Sequence, residues 1–416
     1  MRTHHTQHSL DAFPVYSAAF LDDHKLVLGG GGGSSRSGIK NKLRLYEVPD
    51  DEKLTLLSEF ELGKDEDAPM SMVADEQRKR IICGVNSAVE QLDKGINKNC
   101  RMFSVNKDGF ELLDTASTLD ITSKNMEDCQ KVTAFSPGRT LLAAAGTRDL
   151  SILSYPSLTP VAQPLHTEHD IYDVAFSNTS ILVATTGKLL VYKYPLIESL
   201  EVSPGTKTRN KAKEQKQKED ALTQSQLATE LQLLNTIDPP SFQSSSKSAF
   251  RAARFHPTDD SIVYTALNSS PSTRTRGSRV PAKQGYICRW DAETWKLSNS
   301  RKIGERGITC LDVSSDGKFI AYGAANYSVG ILDSTTLAPL LSVLKAHDFP
   351  STVLKFNPSS NLLVSGSADN TVRVITVPEK LAGTTWTTGS VILIAIFVLL
   401  LAVLVQYLFV SSRLGL

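Results

Sequence analysis

A recurring unit sets the tightest limit on what this chain can fold into. An apolar strand ending in Phe leads into a short turn rich in Ser, Pro, Asp or Gly, and a second apolar strand then closes on small residues. The unit reads VTAFSPGRTLLAAAG from Val132, DVAFSNTSILVATTG from Asp173 and ARFHPTDDSIVYTAL from Ala253. It recurs more loosely as LDVSSDGKFIAYGAA from Leu311 and LKFNPSSNLLVSGSA from Leu354. A third strand follows each time: LSILSY, KLLVYKY, YICRWD, SVGILD and TVRVITV. The turn residues supply tight reversals, and small residues ending the second strand suit close packing near a central axis. Each unit is therefore one antiparallel sheet that must bury itself against its neighbours.

Two less regular units precede these five, from Tyr16 to Leu62 and from Met70 to about Leu113. The expected fold is all-β: a seven-bladed β-propeller over residues 1–380, eight blades being the alternative count. SGSADNTVRVITV near residue 365 and CRWD at 288–291 resemble WD repeats, and Ala346-His347 stands where a Gly-His pair often does. Without an insertion at 203–246 the spacing is about 48 residues per blade, slightly above the usual 40–45. The last unit shows only three strands. The segment before Pro14 is expected to supply its outer strand and close the ring, which removes an open sheet edge.

The insertion has too few apolar residues for a core and reads as a flexible surface loop. Leu227, Leu231 and Leu234 fit helical spacing, so a short amphipathic helix is an option within it. An Arg-rich loop, Thr273 to Lys283, reads as solvated, with contact to anionic lipid as the alternative. The 45 basic and 44 acidic side chains give a net charge of +1, no basis for nucleic-acid binding. Five scattered cysteines outline neither a zinc site nor a disulfide framework. Eight histidines, mostly in the N-terminal tail or at turns, form no hydrolytic constellation by spacing.

The segment VILIAIFVLLLAVLVQYLFV, residues 391–410, has Gln406 as its one strongly polar residue. As a helix it spans roughly 30 Å, the thickness of a bilayer core. Trp386 and Tyr407 lie near its ends, where aromatic belts sit. The N-terminus lacks the apolar run of a secretory signal. The expected arrangement is a cytosolic propeller, a juxtamembrane linker at 381–390, one transmembrane helix at 391–410 and a short lumenal tail at 411–416.

The outstanding local feature is VLGGGGGSSRSGIKNKLRLYEV, residues 27–48, placed between the second and third strands of the first blade. Gly29 to Gly33 form an unbroken run that accepts positive φ and leaves backbone amides and carbonyls open to a partner. A phosphate-binding P-loop is excluded: Gly33 and Gly38 have the right gap, but Ile39-Lys40-Asn41 follows and the next element reads as a strand. A loop without a role explains the glycines, though not the cluster Gly38-Ile39-Lys40-Asn41-Lys42-Leu43 behind them. A protruding recognition loop explains both.

A Gly-rich loop ending in G-I-x-N-K-L in the first of seven degenerate WD-like blades, with a membrane helix behind them, resembles one family. This is the endoplasmic-reticulum membrane guanine nucleotide exchange factor for the small GTPase that starts COPII coat assembly, the prolactin regulatory element-binding protein family. Asp67-Ala68-Pro69 and the second-blade loop GVNSAVEQLDKGINKNCRMFSV are similar to the family's. Arg36 and Lys40 depart from it, since fungal relatives carry neutral residues or proline there. The resemblance implies that the loop contacts the GTPase through Gly31, Gly32, Gly33, Ser34, Gly38, Ile39 and Asn41, with Pro69 as structural support. It further implies a potassium ion held by Asn41 and backbone carbonyls of the Gly29 to Ile39 loop. The activity implied is GDP release by differential affinity for the nucleotide-free state, without covalent catalysis or a small-molecule substrate. Location in the endoplasmic reticulum membrane and a role in transport to the Golgi follow from the same resemblance. The competing reading is a tail-anchored scaffold or adaptor without exchange activity.

Overall fold

The structure is a computed structural model. It describes residues 4–34, 38–49, 52–106, 109–121, 128–195, 230–242, 246–271 and 283–378, together with 393, 395–403 and 405. The chain divides into two compact units, Met1–Val377 and Pro378–Leu416.

The first unit consists of seven four-stranded antiparallel sheets, the seven blades expected from the repeats. Blade 1 runs Val15–Phe20, Lys25–Gly30, Lys42–Glu47, Thr55–Glu61, and blade 2 runs Ser71–Asp75, Arg80–Gly84, Cys100–Asn106, Gly109–Ala116. The first strands of all seven blades line one central channel. Middle strands read as continuous apolar runs because both of their faces are covered. Leu26 and Leu28 of blade 1 pack with Val364 and Val374 of blade 7, whereas Val27 between them packs with Ile81 and Phe103 of blade 2. Successive strand side chains point to opposite faces, so one strand serves two interfaces. Each such fully buried side chain contributes roughly 1.5–3 kcal/mol.

The small residues closing the second strands meet the neighbouring blade. A Cβ added at Gly366 of blade 7 would lie 2.7 Å from Val15 Cγ1 of blade 1. Blades converge toward the axis, and only glycine fits that approach.

The ring closes as the three-stranded last repeat required. His5–Ser9 pairs antiparallel with Thr371–Thr376 of blade 7, from His5 opposite Ile375 to Ser9 opposite Thr371. Arg373 secures the closing strand through Gln7 Oε1 at 2.8 Å and His5 Nδ1 at 2.9 Å. Where a Gly-His pair was expected, His347 is buried: Nδ1 lies 2.6 Å from Thr371 Oγ1 and Nε2 2.8 Å from Ser365 Oγ. The Thr371 hydroxyl donates to Asp369 Oδ1 at 2.6 Å. His347 Nδ1 must therefore carry the hydrogen, and Nε2 accepts from Ser365.

The insertion requires a correction at its C-terminal end. Leu233–Ile237 is the outer strand of blade 4, pairing with Leu189–Lys193. Leu234 thus lies on a strand, and the helical spacing it shares with Leu231 has no structural counterpart. A four-stranded blade needs this edge covered, and that long-range demand overrides the local period. Behind it, Phe242 stacks on Tyr286 with ring centroids 3.8 Å apart. Leu227 and the rest of 203–229 lie outside the described residues, as do Arg36, the Arg-rich loop up to residue 282, the linker 381–390 and the tail 411–416.

In the second unit, residues 393, 395–403 and 405 are helical and exposed, with Leu393 69%, Phe397 65% and Leu399 66% accessible. Among the described residues no helix is long and apolar enough to cross a membrane. The remainder of the 391–410 span lies outside them.

Candidate functional site

The glycine run begins inside the sheet and leaves it in stages. Gly29 and Gly30 end the second strand of blade 1, opposite Leu43 and Lys42. A Cβ on Gly29 would lie 2.4 Å from Ser17 Oγ and 2.7 Å from Pro69 Cβ, and one on Gly30 would lie 2.2 Å from the Pro14 carbonyl oxygen. These two glycines are thus required by close approach of the backbone, not by a ligand. Pro69 is buried against Gly29, and its carbonyl accepts from Ser17 Oγ at 2.6 Å. The proline that opens blade 2 therefore braces the root of the loop.

Beyond the sheet the chain turns with Gly31 at φ 138° and Gly33 at φ 69°. Gly31 is buried, Gly32 and Gly33 are half-buried, and Ser34 is exposed. Asn41 closes the loop from its other end. Its Oδ1 accepts from Gly33 N–H at 2.9 Å, and its Nδ2 donates to the Gly33 carbonyl at 2.9 Å and the Glu66 carbonyl at 2.7 Å. One amide side chain thereby fixes both backbone groups of Gly33 and ties the loop to the connection between blades 1 and 2. The backbone of Asn41 continues the tie, its carbonyl accepting from Leu62 N–H at 2.9 Å.

Gly38 has φ 78° and nothing within 4 Å of where a Cβ would stand. It is exposed, and Ile39 beside it is half-buried. Gly33, Ser34 and Gly38 to Asn41 form one wall of an open hollow of about 620 Å³. Its other wall is Glu61 to Glu66.

That acidic wall was not singled out in the sequence, although the run Asp65-Glu66-Asp67 directly after the last strand of blade 1 was visible there. Glu61 pairs with Lys40 at 2.6 Å, both exposed. Glu66 pairs with Arg101 at 2.8 Å and accepts from Gly63 N–H at 2.8 Å. Burial raises the Asp67 carboxyl above its ordinary range, against the lowering effect of hydrogen bonds from the Ala68 and Ser34 amides. The loop is therefore anchored through Asn41, Asp67 and Pro69, while Ser34 and Gly38 are exposed and Ile39 is half-buried.

Among the described residues no cluster of three or more His, Cys, Asp or Glu side chains is placed to hold a metal ion. Potassium would use neutral oxygens instead; here the Gly33 and Glu66 carbonyls both accept from Asn41 Nδ2, and Asn41 Oδ1 accepts from the Gly33 N–H. Lys40, the described cation of the loop, is drawn to Glu61.

The second-blade loop stands in the same position one blade on. It carries a helical turn, Val89–Leu92, whose Leu92 packs with Leu119 and Ile121. Asn99 Nδ2 donates to Thr118 Oγ1 at 2.5 Å and Gln130 Oε1 at 2.8 Å, while its Oδ1 accepts from Thr118 N–H at 2.9 Å. This loop is bound to the scaffold, and it leaves Val89 and Ile96 exposed.

The family described as "WD domain, G-beta repeat" matches residues 338–376, which hold the fourth strand of blade 6 and three strands of blade 7. The chain is 25% identical over 386 residues to the guanine nucleotide-exchange factor SEC12 of Candida glabrata, covering 91% of this chain and 73% of that protein. It is 25% identical over 353 residues to the SEC12-like protein 2 of Arabidopsis thaliana, covering 83% and 74%. The guanine nucleotide-exchange factor SEC12 of Mus musculus is 25% identical over 375 residues, covering 83% and 82%.

Proposed function

We propose that this chain, a relative of the SEC12 guanine nucleotide-exchange factors, promotes GDP release from the small GTPase that initiates COPII coat assembly, using the Gly-rich loop of blade 1. The observation that carries this reading is the clamp of Asn41 on Gly33. A loop meant only to connect two strands needs no such brace, whereas one that must meet a partner in one shape gains affinity from being held in it. Ile39 offers the apolar contact at the tip. Ser34 and Gly38 let the partner's backbone come close, and Gly31 to Gly33 set the turn. Val89 and Ile96 of the neighbouring loop extend the apolar contact.

Exchange needs no covalent step from this chain. The loop binds the nucleotide-free GTPase more tightly than the GDP-bound form, and the rate gained is bounded by that difference. A bound potassium ion would supply a positive centre around which the loop carbonyls gather. Asn41 and backbone carbonyls of the Gly29 to Ile39 loop are the groups that would hold it.

The reading includes a tether. The helical, exposed apolar residues between 393 and 405 belong to a transmembrane helix at 391–410, joined to the propeller by a linker at 381–390 and followed by a lumenal tail at 411–416. The propeller would then face the cytosol at the endoplasmic reticulum membrane. GTP loading beside the bilayer would favour a GTPase that inserts an amphipathic helix there.

The test is nucleotide exchange on the COPII-initiating GTPase loaded with fluorescent GDP, using the full chain and its Asn41→Ala variant in potassium or sodium buffer. Accelerated release that Asn41→Ala abolishes supports exchange through this loop, and loss in sodium supports the ion. A folded chain that leaves the release rate unchanged overturns the reading in favour of a tethered scaffold.

A further inference from the structure

The central channel carries a feature that the exchange reading does not use. In five blades the first strand is out of register with the second by one residue, between Val15 and Ser17, Ile171 and Asp173, Phe250 and Ala252, Ile308 and Cys310, and Ser351 and Val353. A β-bulge leaves one residue unpaired and re-aims its side chain. The five bulged residues are Tyr16, Tyr172, Arg251, Thr309 and Thr352, and all five line the same central cavity of about 170 Å³. Lys131 lines it as well.

The roles within this ring divide cleanly. The two threonines are spent on the scaffold: Thr309 Oγ1 donates to the Ser351 carbonyl at 2.9 Å and Thr352 Oγ1 to the Val15 carbonyl at 2.6 Å. The cations are held ready for something else. The Arg251 guanidinium lies over the Tyr172 ring, 4.5 Å from its centroid, which orients it without neutralising it. Lys131 Nζ donates to Thr147 Oγ1 at 2.6 Å, a neutral partner.

The cavity's other two cations behave differently, since Arg254 pairs with Asp173 and Lys355 with Asp312. Among the described residues no carboxylate pairs with Arg251 or Lys131. Asp67 faces Tyr16 and raises its phenol, after burial as the larger cause. Asp67 is itself held by the amides of Ala68 and Ser34. Of the four cations lining the channel, Arg254 and Lys355 are paired with carboxylates and Arg251 and Lys131 are not.

We propose that this ring is a binding site for a phosphate-class oxyanion. Arg251 would be the bidentate donor, Lys131 the second cation, and the phenols of Tyr16 and Tyr172 further donors. At roughly 30 Å³ per water molecule the cavity has room for one such group with its remaining hydration. Guanidinium geometry matches phosphate oxygens in pairs, which selects this class over chloride.

The test uses the full chain in detergent, titrated with inorganic phosphate or with glycerol 3-phosphate against chloride at matched ionic strength. Phosphorus NMR line width and the thermal midpoint are the readouts. Saturable one-to-one binding, weakened roughly 10-fold or more in Arg251→Gln, supports the site. Preference for inorganic phosphate identifies a free anion as the ligand, and preference for the glycerol ester identifies a phosphomonoester headgroup. Lys131→Gln alters an exposed side chain and serves as the second variant should Arg251→Gln fail to fold. Equal shifts with phosphate and chloride, or unchanged binding in a folded variant of either residue, overturn the proposal.

Discussion

Blades 1 and 7 fill the same slot, the connection between second and third strands, in opposite ways. Blade 7 uses the short turn at 368–370, pinned by side chains. Asp369 accepts from Thr371 N–H and Oγ1 and from Asp348 N–H, and His347 joins Thr371 to Ser365 behind it. Blade 1 uses residues 31–41, held by backbone groups of glycine and by the Asn41 amide. In blade 7 the polar side chains are buried and serve the blade itself. In blade 1 the anchors lie at the root, and Ser34 and Gly38 beyond them are exposed. The lesson is that one position in the blade can be a staple or a presented loop, depending on where its hydrogen bonds end.

The sharpest way to break this comparison is Asn41→Ala. It should abolish accelerated nucleotide release while costing about 1–2 kcal/mol of stability, since it removes partly buried hydrogen bonds. Exchange rates and urea unfolding on the same preparation separate the two effects. If exchange survives, the loop does not need its brace and the contrast with blade 7 fails.

Gly30→Ala comes next. The new methyl would be forced against the Pro14 carbonyl, and backbone cannot step aside cheaply. A loss of about 2–3 kcal/mol is expected from the urea midpoint.

His347→Asn tests the staple. Burial pushes this imidazole down from 6.5 to about 4; Asp369 opposes that shift and Arg373 adds to it. The unfolded chain therefore holds the proton more tightly, so stability present above pH 6.5 is lost as pH falls toward 4. Thermal midpoints across this window should fall in the parent chain, and the variant should be about 2 kcal/mol weaker at pH 7 with a flatter profile. Exchange by the folded fraction should be unaltered.

The smallest effect belongs to Glu61→Ala. Its pair with Lys40 is exposed on both sides, and such pairs are worth about 0–1 kcal/mol. The thermal midpoint should hardly move, while freeing Lys40 should weaken any potassium dependence of exchange, measured by titrating the ion.

Much of the fold was legible because its signals are local. Turn residues between two apolar strands mark each hairpin, and the missing fourth strand of the last repeat pointed to the N-terminal segment that pairs with it. Leu233–Ile237 was misread for the complementary reason. Its spacing fits a helix, and nothing nearby reveals that blade 4 lacks an edge. At the candidate site the glycines, Ile39, Asn41 and Pro69 stood out by residue type and motif. Asp67 entered only within the Asp67-Ala68-Pro69 step, and Glu66 did not stand out at all, because an acidic turn between strands has the same appearance whether or not it anchors a loop.

The sequence by itself determined the repeat count, the strand order within a blade, the break in the last repeat and the place of the glycine run. These depend on period two, turn chemistry and the freedom of glycine, all set within a few residues. Only the tertiary structure decided that Pro69 meets Gly29, that Asn41 reaches Glu66, and that five bulges turn their extra residues into one channel. Each of these joins parts of different blades, and ring closure, not local preference, brings them within a few ångströms.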